Sequence, residues 1–169
     1  LELCLDKDIP TIAVSDYIPA NAKKLAADFG CAVLSTAEIL ADPEIDAVLI
    51  ATSTDTHSDL IEQAVGTGKS VLCEKPVDLS LKRARLCQSN TEAAGLPIMM
   101  GFNRRFDPNF QTLKSALDGG EIGKPELLSI TSFDPAPPPL AYVKVSGGLF
   151  YDMMIHDFDM ANFILGDAP

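Results

Sequence analysis

The stretch VLCEKP at residues 71–76 is an apolar run that ends abruptly in an acid, a base and a proline. A short run of aliphatic and β-branched residues is typical of a buried strand. In an open α/β sheet, the residues just past a strand's carboxyl end line the ligand crevice. We therefore expect Lys75 to meet a ligand, on a turn that Pro76 stiffens. The alternative is an ordinary strand end with a solvated Glu74–Lys75 pair.

Composition places the chain among ordinary globular proteins. Its 169 residues are 47% hydrophobic and 22% charged, enough for one core or for one domain and the start of another. The net charge of -11 argues against nucleic-acid binding, which needs clustered Lys and Arg. No apolar stretch has membrane-spanning length, so we expect no membrane partner. The four cysteines lack a paired metal spacing, which favours reduced thiols and a cytoplasmic location.

Strand-like and helix-like segments alternate along residues 10–101. Strand-like runs at residues 10–16, 31–33, 47–51 and 97–101 are separated by helical patterns with cap signals, including the capping-box spacing of Ser35 and Glu38. This alternation predicts an α/β fold with a Rossmann-like parallel sheet. The glycine-rich turn G-x-G-x-x-G does not occur in the 169 residues. We therefore expect the chain to begin inside the fold, after its first strand and loop, with residues 1–9 as the tail of the following helix.

Two polar segments lie where ligand-binding groups are expected. Residues 52–57, rich in hydroxyl groups, follow an apolar run and suit a helix N-terminus near a ligand. Residues 102–108 place Arg104 and Arg105 between aromatic side chains, where guanidinium groups suit a carboxylate or polyol. Surface arginines that pair with acidic neighbours are an equally good interpretation. Beyond them, residues 126–133 are predicted to be a strand of a second domain, and the proline cluster at residues 134–139 a stiff loop.

The second chemical cluster is GGLFYDMMIHDFD at residues 147–159. On one helix, Asp152 and His156 lie four residues apart and share a face, so the carboxylate can orient the imidazole. A structural hydrogen bond is the commoner role of such a pair. A metal site formed by Asp152, His156 and Asp159 is a weaker alternative, because no cluster of further histidines or cysteines supplies the remaining ligands. We expect no metal.

A family resemblance rests on five features that follow one another along the chain. They are EKP at 74–76, GFNRRFD at 101–107, the proline cluster, KVSGG at 144–148 and the Asp152/His156 spacing. From about Ile12 onward the chain resembles the glucose-fructose oxidoreductase/inositol dehydrogenase (Gfo/Idh/MocA) family, most closely its inositol 2-dehydrogenase branch. The resemblance implies a partial dinucleotide-binding domain at residues 1–101. It also implies the start of an α+β open-sheet domain for substrate and oligomerisation at residues 102–169, part of which returns to the first domain by chain crossing.

The resemblance implies NAD-dependent oxidation of a secondary hydroxyl on a cyclic polyol or sugar, by a homo-oligomer, dimeric or tetrameric in the complete protein. Lys75 matches the residue that contacts the reacting oxygen, and His156 matches the catalytic acid/base. Asp152 matches the acid that holds substrate and histidine in place. Asn103 and Arg104 match substrate-contacting positions. The chemistry fits, because histidine titrates near neutrality and a lysine cation stabilises an oxyanion.

On the cofactor side, Asp16 matches the acid that contacts the adenosine ribose. A carboxylate there accepts hydrogen bonds from ribose hydroxyls and repels a 2′-phosphate, so we expect NAD rather than NADP. The further residues that the resemblance assigns to the cofactor are Ala51, Thr52, Ser53, Thr54, His57, Glu74 and Lys75. Since the pyrophosphate normally sits on the glycine-rich turn, we expect the chain as given to be a poor dehydrogenase.

Two other functional classes stay open. One is a lyase or aldolase in which Lys75 forms a Schiff base, and borohydride trapping on Lys75 would identify it. The other is a non-catalytic dinucleotide-binding or structural protein, which would not reduce NAD with inositols. In every case the turn has to aim Lys75 into the crevice. We expect a cis Lys75–Pro76 bond there, since X–Pro bonds tolerate cis at about 0.5–1 kcal/mol.

Overall fold

The strands form parallel pairs. The computed structural model describes residues 10–166, so the helix tail expected at residues 1–9 lies outside the described residues. The strands in the described part are β1 (Ala13–Val14), β2 (Ala32–Val33), β3 (Ala47–Ile50), β4 (Ser70–Cys73) and β5 (Ile98–Met100). Strand β1 pairs in parallel with β2, and β3, β4 and β5 form a second parallel sheet in that order. The predicted Rossmann-like α/β class is confirmed.

Helices connect the strands. They are α1 (Pro19–Phe29), α2 (Thr36–Ala41), α3 (His57–Gly66), α4 (Leu81–Glu92), α5 (Pro108–Asp118), α6 (Leu140–Val143), α7 (Leu149–Asp152) and α8 (Met154–Leu165), with 3-10 turns at Thr54–Thr56 and Asn103–Phe106. The predicted capping box is confirmed, because the Ser35 side chain accepts from the Glu38 amide and the Glu38 carboxylate from the Ser35 amide. Helix α1 ends at Gly30, whose φ of 66° is the left-handed conformation that glycine adopts freely.

The core lies on one face of the larger sheet. Side chains of α3 and α4 pack there against β3 and β4, and the buried members are Ile50, Ile61, Ala64, Val65, Val71, Cys73 and Cys87. Burial raises the pKa of the Cys73 thiol to about 12, so this cysteine behaves as a small protonated hydrophobe. The other face carries a cross-strand row formed by Leu49, Leu72 and Met99, which remain 39–54% exposed. The packed face fixes α3 and α4 beside the carboxyl ends of the strands.

Residues 126–133 are neither helix nor strand, so the strand predicted there is wrong. A strand needs a neighbouring strand to pair its amide and carbonyl groups, and none of the strands in the described residues pairs with this segment. Its apolar side chains stay largely exposed, with Leu127 at 88% and Phe133 at 89%. Every helix among residues 10–166 is too short or too polar to cross a lipid bilayer.

Candidate active site

The loops after β3, β4 and β5 lie together at the carboxyl edge of the sheet, because the three strands are parallel. The ladder continues past the strands, since the Glu74 amide donates to the Ile50 carbonyl and the Gly101 amide to the Cys73 carbonyl. A Cβ atom on Gly101 would lie only 3.0 Å from the Glu74 carboxylate. The absence of a side chain at Gly101 therefore leaves room for the Glu74 carboxyl group over the edge of the sheet.

The Lys75–Pro76 peptide bond is cis, as expected from the sequence. Lys75 reaches across to the second half of the chain, where its Nζ donates to the Asp152 backbone carbonyl at 2.6 Å and to Asp152 Oδ1 at 3.1 Å. The two side chains are only 14% and 24% exposed, so water screens this ion pair less than a surface pair. The pair joins the strand-end turn to α7 over 77 residues of sequence.

Tyr142, which the sequence did not point to, completes the surroundings of Asp152. Its hydroxyl donates to Asp152 Oδ1 at 2.7 Å. This hydrogen bond, with burial adding to it, raises the pKa of Tyr142 to about 12. The sequence held no signal for this contact, because the two residues lie ten apart in two different short helices that a turn and a bend separate.

Asp152 and His156 do not share one helix, and that prediction is wrong. Helix α7 ends at Asp152 and α8 begins at Met154, with Met153 between them. The Asp152 carboxylate is occupied by Lys75 and Tyr142 instead of the imidazole. The predicted spacing assumed a continuous helix, whereas these long-range contacts fix Asp152 independently of α8.

His156 lies in α8 and its Nδ1 is buried with no hydrogen-bond partner among the described residues. Burial lowers the pKa of His156, and the positive charges of Lys75 and Arg104 lower it further. Its ring is nearly perpendicular to that of Phe102, with the ring centroids 6.2 Å apart. A neutral imidazole with an unpartnered nitrogen is able to take part in proton transfer with a ligand.

These groups line one cavity of about 300 Å³. Its walls are formed by Lys75, Asn103, Arg104, Asp134, Asp152, Met153 and His156. All the residues assigned to catalysis or to substrate are therefore brought together. Asp134, at the start of the proline cluster, is an additional member that the sequence did not indicate.

The two arginines separate into different roles. Arg104 lines the cavity while its Nη1 donates to Asp157 Oδ1 at 2.6 Å and to Ser132 at 3.2 Å. Arg105 instead makes a two-pronged ion pair with Asp159 and stacks 5.6 Å from the Phe163 ring centroid. The interpretation as an arginine paired with an acidic neighbour therefore applies to Arg105. It applies to Arg104 only in part, because Arg104 also lines the cavity.

The acidic group near α8 does not form a metal site. Asp159 is 8% exposed and bound to Arg105, and Asp152 is bound to Lys75 and Tyr142. Within residues 10–166, no three His, Cys, Asp or Glu side chains are grouped as metal ligands. The alternative of a metal held by Asp152, His156 and Asp159 has no geometric support.

The residues assigned to the cofactor lie in three places. Asp16 follows β1 on the surface, and its carboxylate accepts from the Ile18 amide at 2.7 Å and from the Asn21 side chain. Three positions after β3, namely Ala51, Thr52 and Ser53, are exposed, and Thr54 is half-buried. His57 differs, because it is 1% exposed and its two ring nitrogens lie against backbone carbonyl oxygens.

Two of these positions have the chemistry that the two ends of a dinucleotide need. The exposed Asp16 carboxylate suits ribose hydroxyls, and the Glu74 carboxylate lies in a cradle that a side chain on Gly101 would fill. The exposed loop after β3 lies between these two positions in the chain. The sequence holds no glycine-rich turn for the pyrophosphate.

Residues 4–102 match the GFO_IDH_MocA family, described as an oxidoreductase family with an NAD-binding Rossmann fold. Residues 110–169 match the GFO/IDH/MocA C-terminal domain. The chain belongs to the Gfo/Idh/MocA oxidoreductase family. The resemblance based on the motifs is thus confirmed, and NAD is the cofactor of the matched domain, as expected.

Relatives of this family member include inositol dehydrogenases. Over 162 residues it is 49% identical to an inositol 2-dehydrogenase of Rhizobium meliloti (strain 1021), a match to 96% of this chain and 49% of that protein. It is 52% identical over 130 residues to a myo-inositol 2-dehydrogenase of Thermotoga maritima, covering 77% and 39%. A scyllo-inositol dehydrogenase from Lactobacillus casei, solved with NAD(H) and scyllo-inositol, has a TM-score of 0.79 at 31% identity, covering 92% and 48%. The chain spans about half the length of the curated relatives it matches.

Proposed function

We propose that the protein is an NAD-dependent oxidoreductase that oxidises a secondary hydroxyl of a cyclic polyol, in the manner of a myo-inositol 2-dehydrogenase. The observation that carries this proposal is the cavity in which the Lys75–Asp152 ion pair lies beside His156, whose buried Nδ1 has no partner in the described residues. Identity of 49% to an inositol 2-dehydrogenase supports the polyol as substrate class.

His156 acts as the base in the proposed reaction. Its lowered pKa keeps the imidazole neutral at neutral pH, so it can accept the proton of the substrate hydroxyl as the carbinol is oxidised. NAD, when bound, accepts the hydride from the same carbon. The proton and the hydride together account for both hydrogens that the alcohol loses.

Lys75 stabilises the negative charge that develops on the substrate oxygen. Its ammonium group is fixed by the carbonyl and the carboxylate of Asp152, so it does not have to reorganise as the charge develops. Asp152 in turn is held by the Tyr142 hydroxyl. Asn103 and Arg104, on the same cavity wall, are proposed to bind further substrate hydroxyls.

On the cofactor side, Asp16 is proposed to bind the adenosine ribose, which selects NAD over NADP. Glu74 and the loop of residues 51–54 are proposed to contact the nicotinamide half. The dimeric or tetrameric state of the complete protein, its cytoplasmic location and the domain division at residue 101 remain predictions.

The Schiff-base alternative has less support. Lys75 Nζ is engaged by both the carbonyl and the carboxylate of Asp152, an arrangement that suits electrostatic stabilisation more than nucleophilic attack. The neutral His156 beside it also provides the base that an alcohol oxidation needs.

Reduction of NAD by a panel of inositols and sugars, followed at the nicotinamide absorbance, tests the proposal on the full-length protein. We expect an inositol to reduce NAD and His156→Ala to abolish most of that rate. If NAD binds but no polyol reduces it, the alternative of a non-catalytic dinucleotide-binding protein is correct. If borohydride traps a carbonyl substrate on Lys75, the lyase is correct.

A further inference from the structure

His57 bridges the loops that follow two neighbouring strands. Its Nδ1 lies 2.8 Å from the Pro76 carbonyl oxygen, in the turn after β4. Its Nε2 lies 3.1 Å from the Thr52 carbonyl oxygen, in the loop after β3. The side chain is 1% exposed, so the ring is packed inside the fold beneath both loops.

We propose that His57 is a positioning residue that holds the Lys75 turn in register with the loop after β3. A carbonyl oxygen only accepts hydrogen bonds, so the ring donates to both carbonyl groups when each nitrogen carries a proton, and to one of them in a neutral tautomer. Leaving a buried carbonyl group unpaired costs more free energy than the hydrogen bond itself contributes. Loss of either contact therefore destabilises the loop that carries the carbonyl group. Its catalytic consequence, though not its geometry, rests on the proposed function.

A second hydrogen bond, from the residue after His57, holds the same turn. Ser58, also 1% exposed, donates from Oγ to Asp78 Oδ2 at 2.7 Å. The other oxygen of that carboxylate, Asp78 Oδ1, accepts from the Ser80 amide at 2.8 Å. The first two residues of α3 thus hold the segment that runs from Pro76 to the start of α4.

The bridge joins the two sides of the proposed reaction. Thr52 belongs to the loop proposed to meet the nicotinamide half of NAD, and Lys75 directly precedes the carbonyl group that His57 binds. Hydride transfer requires donor and acceptor carbons in contact, and small misplacements lower the rate steeply. A buried link between the two loops therefore fixes the distance between the proposed cofactor-binding side and the proposed substrate-binding side of the site.

A matched pair of variants separates the two contacts. In His57→Asn the amide nitrogen takes the place of Nδ1, so the contact to Pro76 is kept. In His57→Gln the amide nitrogen takes the place of Nε2, so the contact to Thr52 is kept and that to Pro76 is lost. Both variants are neutral, polar and close in volume, which makes general destabilisation similar.

The readout is the acetylation rate of Lys75, measured by mass spectrometry relative to the exposed Lys23 of the same molecule. Lys75 reacts only when it leaves Asp152, so its rate reports how firmly the turn is held. We expect His57→Gln to raise the ratio of the Lys75 rate to the Lys23 rate by about two- to tenfold, which is the effect of one lost hydrogen bond on a local equilibrium. In His57→Asn, which keeps the contact to Pro76, we expect a ratio close to that of the parent protein. Equal ratios in the two variants would overturn the proposal.

A measurement on the unaltered chain covers the case in which neither variant folds. The sequence contains two histidines, so ring N–H signals in nitrogen-15 NMR spectra are readily assigned. We expect a slowly exchanging Nδ1 proton on His57, donated to Pro76, and its absence refutes the bridge. Neither readout needs NAD or a polyol, so a protein without dehydrogenase activity still tests the assignment.

Discussion

The two walls of the cavity are built in different ways. Lys75 comes from a strand end that is fixed by a ladder of backbone hydrogen bonds and by the buried core beneath it. Asp152 and His156 come from α7 and α8, which are attached to the rest by ion pairs such as Lys75–Asp152 and by the buried side chains of Met160 and Ile164. The sheet side is therefore a scaffold that stands on its own packing, whereas the helical side depends on contacts with that scaffold.

The largest expected effect comes from the helical wall. In the full-length protein, His156→Ala is expected to lower turnover by about 10²–10⁴-fold, the usual contribution of a general base. Steady-state NAD reduction with an inositol measures it. Lys23→Ala, on the exposed surface of α1, serves as the control and should retain far more activity. Full turnover in His156→Ala would return the histidine to a structural role.

A glycine pair tests how tightly the helical wall is packed. Gly147 and Gly148 both have φ of 81°, but a Cβ on Gly147 would lie 2.6 Å from Leu79 and 2.9 Å from Tyr151, while one on Gly148 meets nothing within 4 Å. Both alanine variants should lose about 1–3 kcal/mol through backbone strain. Gly147→Ala should lose a further 1–3 kcal/mol or so through overpacking. Urea unfolding measures the free energy of unfolding of the two variants. Equal losses would show that α7 moves to accommodate the added methyl group without loss of stability.

Tyr142→Phe removes one hydrogen bond from the Asp152 carboxylate and leaves Lys75 in place. We expect a loss of about 0.5–1.5 kcal/mol in the free energy of unfolding, because Tyr142 is partly exposed and water replaces part of the contact. Spectrophotometric titration gives a second check, since Asp152→Asn should lower the pKa of Tyr142 from about 12 towards its ordinary value. An unchanged titration would mean that the hydroxyl does not meet this carboxylate in solution.

The smallest effect links the two walls electrostatically. Burial is the main cause of the lowered pKa of His156, and the charge of Lys75 comes next. Lys75→Met is therefore expected to raise the pKa of His156 part of the way to its ordinary value, without restoring it. Because Lys75→Met also removes the proposed stabiliser of the oxyanion, the pKa is measured directly and not through the rate. Chemical-shift titration of His156 measures the change, and a shift to lower pH would contradict it.

The sheet side could be predicted from the sequence because its signals are local. The apolar runs, the Ser35 capping box and Gly30 each act within a few residues, and the Pro76 turn follows from its own strand. The helical side could be predicted less well. Asp152 is bound by Lys75, 77 residues away, and by Tyr142 in another helix, and no helical periodicity encodes either contact.

Residues 126–133 and His57 show the same limit from opposite directions. An apolar pattern indicated a strand at residues 126–133, but strand formation also needs a neighbour, and pattern alone does not supply one. His57 lies in a polar segment that was expected to face the cofactor. Its burial depends on how α3 packs against the Pro76 turn, which is a tertiary fact.

The cavity wall has a consequence for the kind of molecule it admits. Lys75 and Arg104 carry positive charges there, and Asp134 and Asp152 carry negative ones, so the formal charges of these side chains cancel. A phosphorylated sugar or a sugar acid would gain no net attraction from such a wall while losing its hydration. An uncharged ring with hydroxyl groups finds donors and acceptors side by side. Under the proposed function, such a wall suits a neutral carbohydrate, although the chain around it carries a net charge of -11.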